Sequence, residues 1–212
     1  MATGQTSATL ACGLLVVLTV AVPARGAGTP GGAADAPDGQ TPDQAAMALY
    51  QSALTHKEAA LALEKEAAGA PPADREKLLD SARGEYRAVI ETLGRALKLD
   101  LDYYQAANEL GFALRRTGEY RKALGAYNFA LTIKPDFYPA IEYRGEAYLH
   151  LGRLEDAKAA YMTLFRNDLA LAGRLLVAMA DLDVEDDAFR AWVAERQRLA
   201  AVTPGGDAIA DW

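Results

Sequence analysis

Cysteine is almost absent: Cys12 is the only one in 212 residues, and it lies inside an apolar N-terminal run. The rest of the chain therefore forms neither a disulfide nor a thiolate metal site. Histidine is nearly as scarce, with His56 and His150 standing alone and far apart, and serine occurs only at Ser7, Ser52 and Ser81. Chemistry that rests on a cysteine, histidine or serine therefore has few residues to draw on. Positive charge is also short. Twenty-two basic against 29 acidic residues leave a net charge of −7, which argues against a nucleic-acid binder that works by neutralising phosphates. Long hydrophobic runs are missing as well. Residues 10–22, LACGLLVVLTVAV, make 13 uncharged residues, short of the ~20 that cross a bilayer as a helix.

That run has the form of the apolar core of a secretory signal, and small residues follow in VPARGAG, with cleavage acceptable after Ala24 or after Gly26. Residues 1–9 carry no Lys or Arg, which departs from a usual signal and leaves an uncleaved anchor as the alternative. The expectation is a signal or anchor over residues 1–26. The protein is then periplasmic or secreted, with no membrane insertion after cleavage, or membrane-anchored if the segment stays. Residues 27–41 are nearly all Gly, Ala, Pro, Asp and Thr, and residues 203–212 are similar. Neither stretch carries enough apolar surface to offset ordering entropy, so a linker and a tail without fixed structure are expected.

What is present between them is helical pattern, with no run of strand periodicity. Thr41-Pro42-Asp43-Gln44 has the form of a capping box with proline at the first helical position. The helix it opens is expected to run to about Ala68, with Met47, Tyr50, Leu54 and Leu61 along one face, until Gly69-Ala70-Pro71-Pro72 breaks it. A second helix then runs to Leu99, with Leu78, Leu79, Ala82, Tyr86, Val89, Leu93 and Leu97 at helical spacing. At ~1.5 Å per residue each spans roughly 40 Å, and so short a breaker pairs them as an antiparallel hairpin over residues 42–101. Asp102 to Gln105 is a second candidate cap.

Beyond it the sequence repeats. Gly111 and Gly145 are 34 residues apart, as are Gly118 and Gly152, Ala123 and Ala157, and Tyr127 and Tyr161. Four matches at one period without a gap mark two copies of a helix, a glycine turn and a helix. Gly118 and Gly152 fall where a left-handed residue ends the first helix of each copy. Gly111 and Gly145 allow close approach of the second helix, with Ala123 and Ala157 expected to face them. Tyr127 and Tyr161 are expected to fill the space between successive pairs. Pro135 closes the first copy, and Asp136 is placed to cap the next helix.

At these residues the chain resembles the tetratricopeptide repeat family, in an exported bacterial form. Leu110, Gly111 and Leu114 meet Ala123, Tyr127, Ala130 and Pro135, and in the next copy Gly145 and Tyr148 meet Ala157 and Tyr161. The second copy departs at Arg144, Leu164 and Leu169, where leucine, alanine and proline are usual. Val89, Leu93 and Ala96 match one repeat earlier, and Ala191 one later. The resemblance implies an all-α solenoid of helix-turn-helix units. Two clear units fill residues 102–171, the long hairpin holds a degenerate one, and residues 172–202 form a degenerate cap with Phe189, Trp192, Val193 and Leu199 inward. It also implies a non-enzymatic scaffold whose concave surface, lined by the first helix of each unit, binds a peptide or partner protein. Asn108, Phe112, Arg115, Arg116, Glu142, Glu146 and Leu149 would project into that groove. Glu142 and Glu146 oppose a ligand carboxylate, so an internal segment, or a helix with basic residues facing them, is the expected occupant. The alternative is a structural spacer or oligomerisation module of an envelope assembly, with the long hairpin as its contact surface.

Other candidate chemistry is thin. Asp181, Asp183, Glu185, Asp186 and Asp187 cluster, but an EF-hand counted from Asp181 requires glycine where Asp186 stands and glutamate where Trp192 stands. A solvated loop with Asp186 or Asp187 capping the last helix is expected instead. Ser52 and His56 share a helix face without an orienting acid or oxyanion site in the sequence nearby. His150 stands near a helix end, where histidine suits the dipole. Tyr103, Tyr104, Tyr120, Tyr138 and Tyr143 are in excess of the packing set and belong to the core or to a groove. No cofactor or metal is expected. Residues 104–171 carry nine basic and eight acidic side chains between two acidic flanks, so no nucleic acid or anionic lipid is expected as partner.

Overall fold

The computed structural model describes residues 39–202. The expected signal, most of the linker and the tail lie outside them. The described residues form eight helices and no strand: α1 (Pro42–Gly69), α2 (Pro72–Leu99), α3 (Tyr104–Arg116), α4 (Tyr120–Ile133), α5 (Tyr138–His150), α6 (Leu154–Asn167), α7 (Leu169–Ala180) and α8 (Asp187–Val202). No described helix is long and apolar enough to cross a membrane.

Helix α1 opens on the expected capping box. The Gln44 N–H donates to Thr41 Oγ1 at 3.3 Å, and the Thr41 N–H donates to Gln44 Oε1 at 3.0 Å. Its packed face differs from the expected one. Ala46, Ala53, Ala60 and Ala67, seven residues apart, are buried against Ala82, Tyr86, Val89, Leu93 and Ala96 of α2, whereas Met47 and Leu61 are exposed and Tyr50 and Leu54 half-buried. Two long helices lying side by side approach most closely where side chains are small, so the alanine stripe takes the seam and the larger residues flank it.

The 34-residue period recurs in the backbone: α3 and α5 start 34 residues apart, as do α4 and α6, and each pair also ends in step. Gly118 and Gly152 have φ of +83° and +68°. Around each, two N–H groups reach back in the same way, Gly118 to the Arg115 carbonyl and Glu119 to the Leu114 carbonyl, Gly152 to that of Leu149 and Arg153 to that of Tyr148. That is the Schellman ending, which needs a left-handed residue and so favours glycine. The N-cap positions fall one residue beyond the expected Asp102 and Asp136. Tyr103 and Phe137 hold the N-cap positions without a side-chain cap, because the Tyr104 and Tyr138 N–H groups donate to the Asp102 and Asp136 carbonyls at 2.9 and 3.0 Å. Asp168 and Asp186 do cap, accepting from the N–H of Leu171 at 3.0 Å and of Phe189 at 2.8 Å.

Helix α3 packs on α2, α4 and α5; α5 also packs on α4, α6 and α7; and α7 packs on α6 and α8. The first helices of successive pairs are thus in contact with one another. Phe189 and Val193 of α8 are buried against this end and Trp192 is half-buried, but Leu199 is 53% exposed, contrary to expectation. The facing residues of the repeat glycines also differ from expectation. A Cβ on Gly111 would meet the Tyr127 ring first, and one on Gly145 would meet Leu175 and then Ala160, so neither Ala123 nor Ala157 supplies the nearest contact. Ala123 and Ala157 are fully buried elsewhere in the helix interface, Tyr127 is buried and tilted against Tyr143, and Tyr161 is edge-on to Trp192.

Candidate partner-binding face

Asn108 on α3 and Glu142 on α5 occupy equivalent positions, 34 residues apart, on helices that touch. Both are 2% exposed. Of the seven residues expected to line an open groove, Asn108, Phe112, Arg115, Glu142 and Leu149 are buried, Glu146 is half-buried and Arg116 is exposed. The expectation of seven projecting side chains is therefore corrected. The reason is reach: Lys57 of α1 and Tyr143 of α5 lie against the Phe112 ring, and Arg174 of α7 extends to Glu142.

Lys57 of α1 pairs with Glu109 of α3 at 2.6 Å and lies 4.4 Å above the Phe112 ring. The Arg115 guanidinium pairs with Glu146 and sits 5.5 Å over Phe112 and 5.4 Å over Tyr143, whose ring is 5.4 Å from that of Phe112. Arg116 Nε donates to Glu64 Oε1 at 3.1 Å, and the Tyr86 hydroxyl donates to the other Glu64 oxygen at 3.0 Å. Arg174 of α7, 43% exposed at its side chain, stands 3.9 Å from Glu142 Oε2. Acids and bases thus alternate across four helices with aromatic rings between them.

Three buried polar atoms in this face lack a hydrogen-bond partner: Asn108 Oδ1, Arg115 Nε and Glu142 Oε2. The Asn108 amide nitrogen is turned to Glu109 Oε1 at 3.4 Å, which leaves its oxygen unspent. Burial, then the neighbouring Glu146 carboxylate, push Glu142 from 4.5 up to about 8, against the opposing pull of Arg174 and Arg115. Burial likewise raises the Tyr143 hydroxyl and, more strongly, that of Tyr127. A buried acceptor left without a donor costs about 1–3 kcal/mol, which applies to Asn108 Oδ1; Glu142 holds a proton and shares a hydrogen bond with Glu146.

The remaining candidates are engaged elsewhere. His56 pairs with Glu85 of α2 at 2.7 Å, away from Ser52. His150 stacks on Tyr120 with ring centroids 4.3 Å apart, and burial lowers its pKa. Asp186 caps α8 and Asp187 pairs with Arg190. Tyr103 packs on Tyr50 and Tyr104 on Phe137. Lys57, Glu64, Glu109 and Arg174 were not among the residues expected at the site, whereas Tyr143 was expected in the core or a groove. A signal for two of them exists, since Lys57 and Glu64 are seven residues apart, in step with the alanine stripe of α1. No protein-family model matches the chain, and no curated protein matches it in sequence.

Proposed function

We propose that the chain is a non-enzymatic scaffold of the tetratricopeptide type, exported from the cytoplasm, which binds a peptide or partner protein on a concave surface lined by α3, α5 and α7. What carries the reading is the face shared by α3, α5 and α7, where Asn108 and Glu142 stand one repeat apart, both buried, and Asn108 Oδ1 has no donor. A scaffold that only holds itself together has no use for such an oxygen, whereas a ligand donor would satisfy it. The repeated helix limits and glycine turns support the same architecture. The interleaved ion pairs and rings are the chemistry of noncovalent recognition.

One observation favours a second reading, an oligomerisation module. Met47 and Leu61 are 59% and 41% exposed on α1, with Leu54 half-buried between them at seven-residue spacing. Such a seam suits a second long helix. Sedimentation velocity of the full chain across a wide concentration range separates the two. A constant monomer mass is expected of the scaffold, and a mass that rises with concentration and is restored to monomer by Leu61→Lys would favour the module.

A further inference from the structure

Helix α8 is the last described element, and its outer side is apolar. Phe165 of α6, 49% exposed, stacks on Tyr161, whose ring meets the half-buried Trp192 of α8 edge-on. Trp192 lines one cavity with Ala191, Glu195, Arg198 and Leu199, and Leu199 is 53% exposed. Two guanidinium groups border it. Arg196 lies 4.9 Å over the Trp192 ring and 3.6 Å from Glu195, and Arg198 forms part of the lining. With Glu195 as the one acid among these residues, the face is apolar with a positive edge. Apolar surface on such a helix is a site of association until something covers it.

The sequence that follows α8 directly has the chemistry to do so. Thr203-Pro204-Gly205-Gly206 opposes continuation of the helix, because proline lacks the N–H and disfavours a helical residue before it, and the glycines permit a tight reversal. Asp207-Ala208-Ile209-Ala210-Asp211-Trp212 then brings two large apolar side chains and two carboxylates. Reach is sufficient. From Val202 back to Trp192 is about 15 Å along α8 at ~1.5 Å per residue, and residues 207–212 can extend to about 20 Å. We propose that residues 203–212 double back along α8, with Ile209 and Trp212 covering Trp192 and Leu199 and with Asp207 and Asp211 set against Arg196 and Arg198. Alone, so short a segment cannot offset its ordering entropy. Tethered to α8 through residues 203–206, it meets the face at an effective concentration in the millimolar range, so weak contacts suffice. The occupant is the chain itself, and the inference does not rest on the face along α3, α5 and α7.

The test is fluorine NMR of the full chain labelled with fluorotryptophan, which reads Trp192 and Trp212, the two tryptophans of the sequence, without any substitution. Trp212→Phe assigns the two resonances. The change in each resonance between light and heavy water measures contact with solvent, and a free peptide of residues 203–212 sets the value for an exposed Trp212. In the full chain Trp212 should lose most of that solvent effect, and equally at low and high protein concentration. Leu199→Asp, and Arg196→Glu combined with Arg198→Glu, should each restore it, whereas Arg95→Glu at an exposed position of α2 should leave it lost. Retained helical circular dichroism shows that the variants fold, and the reading on the unsubstituted chain decides the matter even where one does not. A Trp212 as exposed as in the free peptide overturns the proposal. Shielding that survives both sets of α8 variants also overturns it, because the segment then sits elsewhere. Shielding that disappears on dilution overturns it too, because the occupant is then a second copy.

Discussion

Gly111 and Gly145 hold the same place in successive units, but a side chain at each would meet a different obstacle. An added Cβ would lie 2.5 Å from the Tyr127 ring at the first and 2.6 Å from a Leu175 methyl at the second. Both neighbours are fully buried and have little room to give. Gly145→Leu should therefore lower stability by about 1–3 kcal/mol or more, whereas His150→Ala should change it by less than about 0.5 kcal/mol. Thermal midpoints of the two variants check this, and an undisturbed Gly145→Leu would mean that the repeat register is wrong. The need for glycine was legible from spacing; its contact was not, because the facing residue comes from whichever helix crosses there. Glu142 gives a second prediction. The folded chain holds its proton up to about pH 8, the unfolded chain only to about 4.5. Its contribution to stability is fully present below the lower value and is lost as pH rises through the higher one. Thermal midpoints should fall from mildly acidic to alkaline pH, and Glu142→Gln should flatten that fall. An unchanged slope in the variant would assign the titration to another group.

At the scale of elements, the long hairpin tests how the alanine stripe works. Ala60 is fully buried in the seam between α1 and α2, and its neighbour Leu61 is 41% exposed. Ala60→Leu should push the helices apart and cost about 1–3 kcal/mol, although it enlarges the apolar side chain. Leu61→Ala should cost much less, and urea midpoints of both report the difference. The reverse order would place Leu61 in the seam. The helix limits were readable in the sequence because capping residues, prolines and glycines mark them. The packed face of α1 was not, since weighting by hydrophobic size favours leucine and methionine over the alanines that let two helices close up. Likewise Asp102 and Asp136 have the chemistry of caps, but a backbone turn satisfies the N–H groups they would have taken.

For the whole molecule, the net charge of −7 and the balanced repeats predict no appreciable binding to DNA or to anionic vesicles at low salt. A tight, salt-sensitive complex in a filter-binding or flotation assay would contradict this. The proposed binding face was half legible. Asn108, Arg115, Glu142 and Glu146 follow from repeat register, because register fixes which face a helical residue shares. Lys57, Glu64 and Arg174 do not, since each reaches that face from a helix whose position only the assembled fold decides. The central claim is that recognition occurs along α3, α5 and α7, and site-specific photo-crosslinking in the producing cells tests it most directly. A benzophenone side chain is placed at exposed positions on this face, replacing Arg116 or Arg174, and on α4 and α6, replacing Arg121 or Ala159. Adducts to one and the same partner from positions 116 and 174, absent from 121 and 159, are the predicted result. Adducts to a partner from 121 or 159 alone, or only dimers of the chain itself, would contradict it.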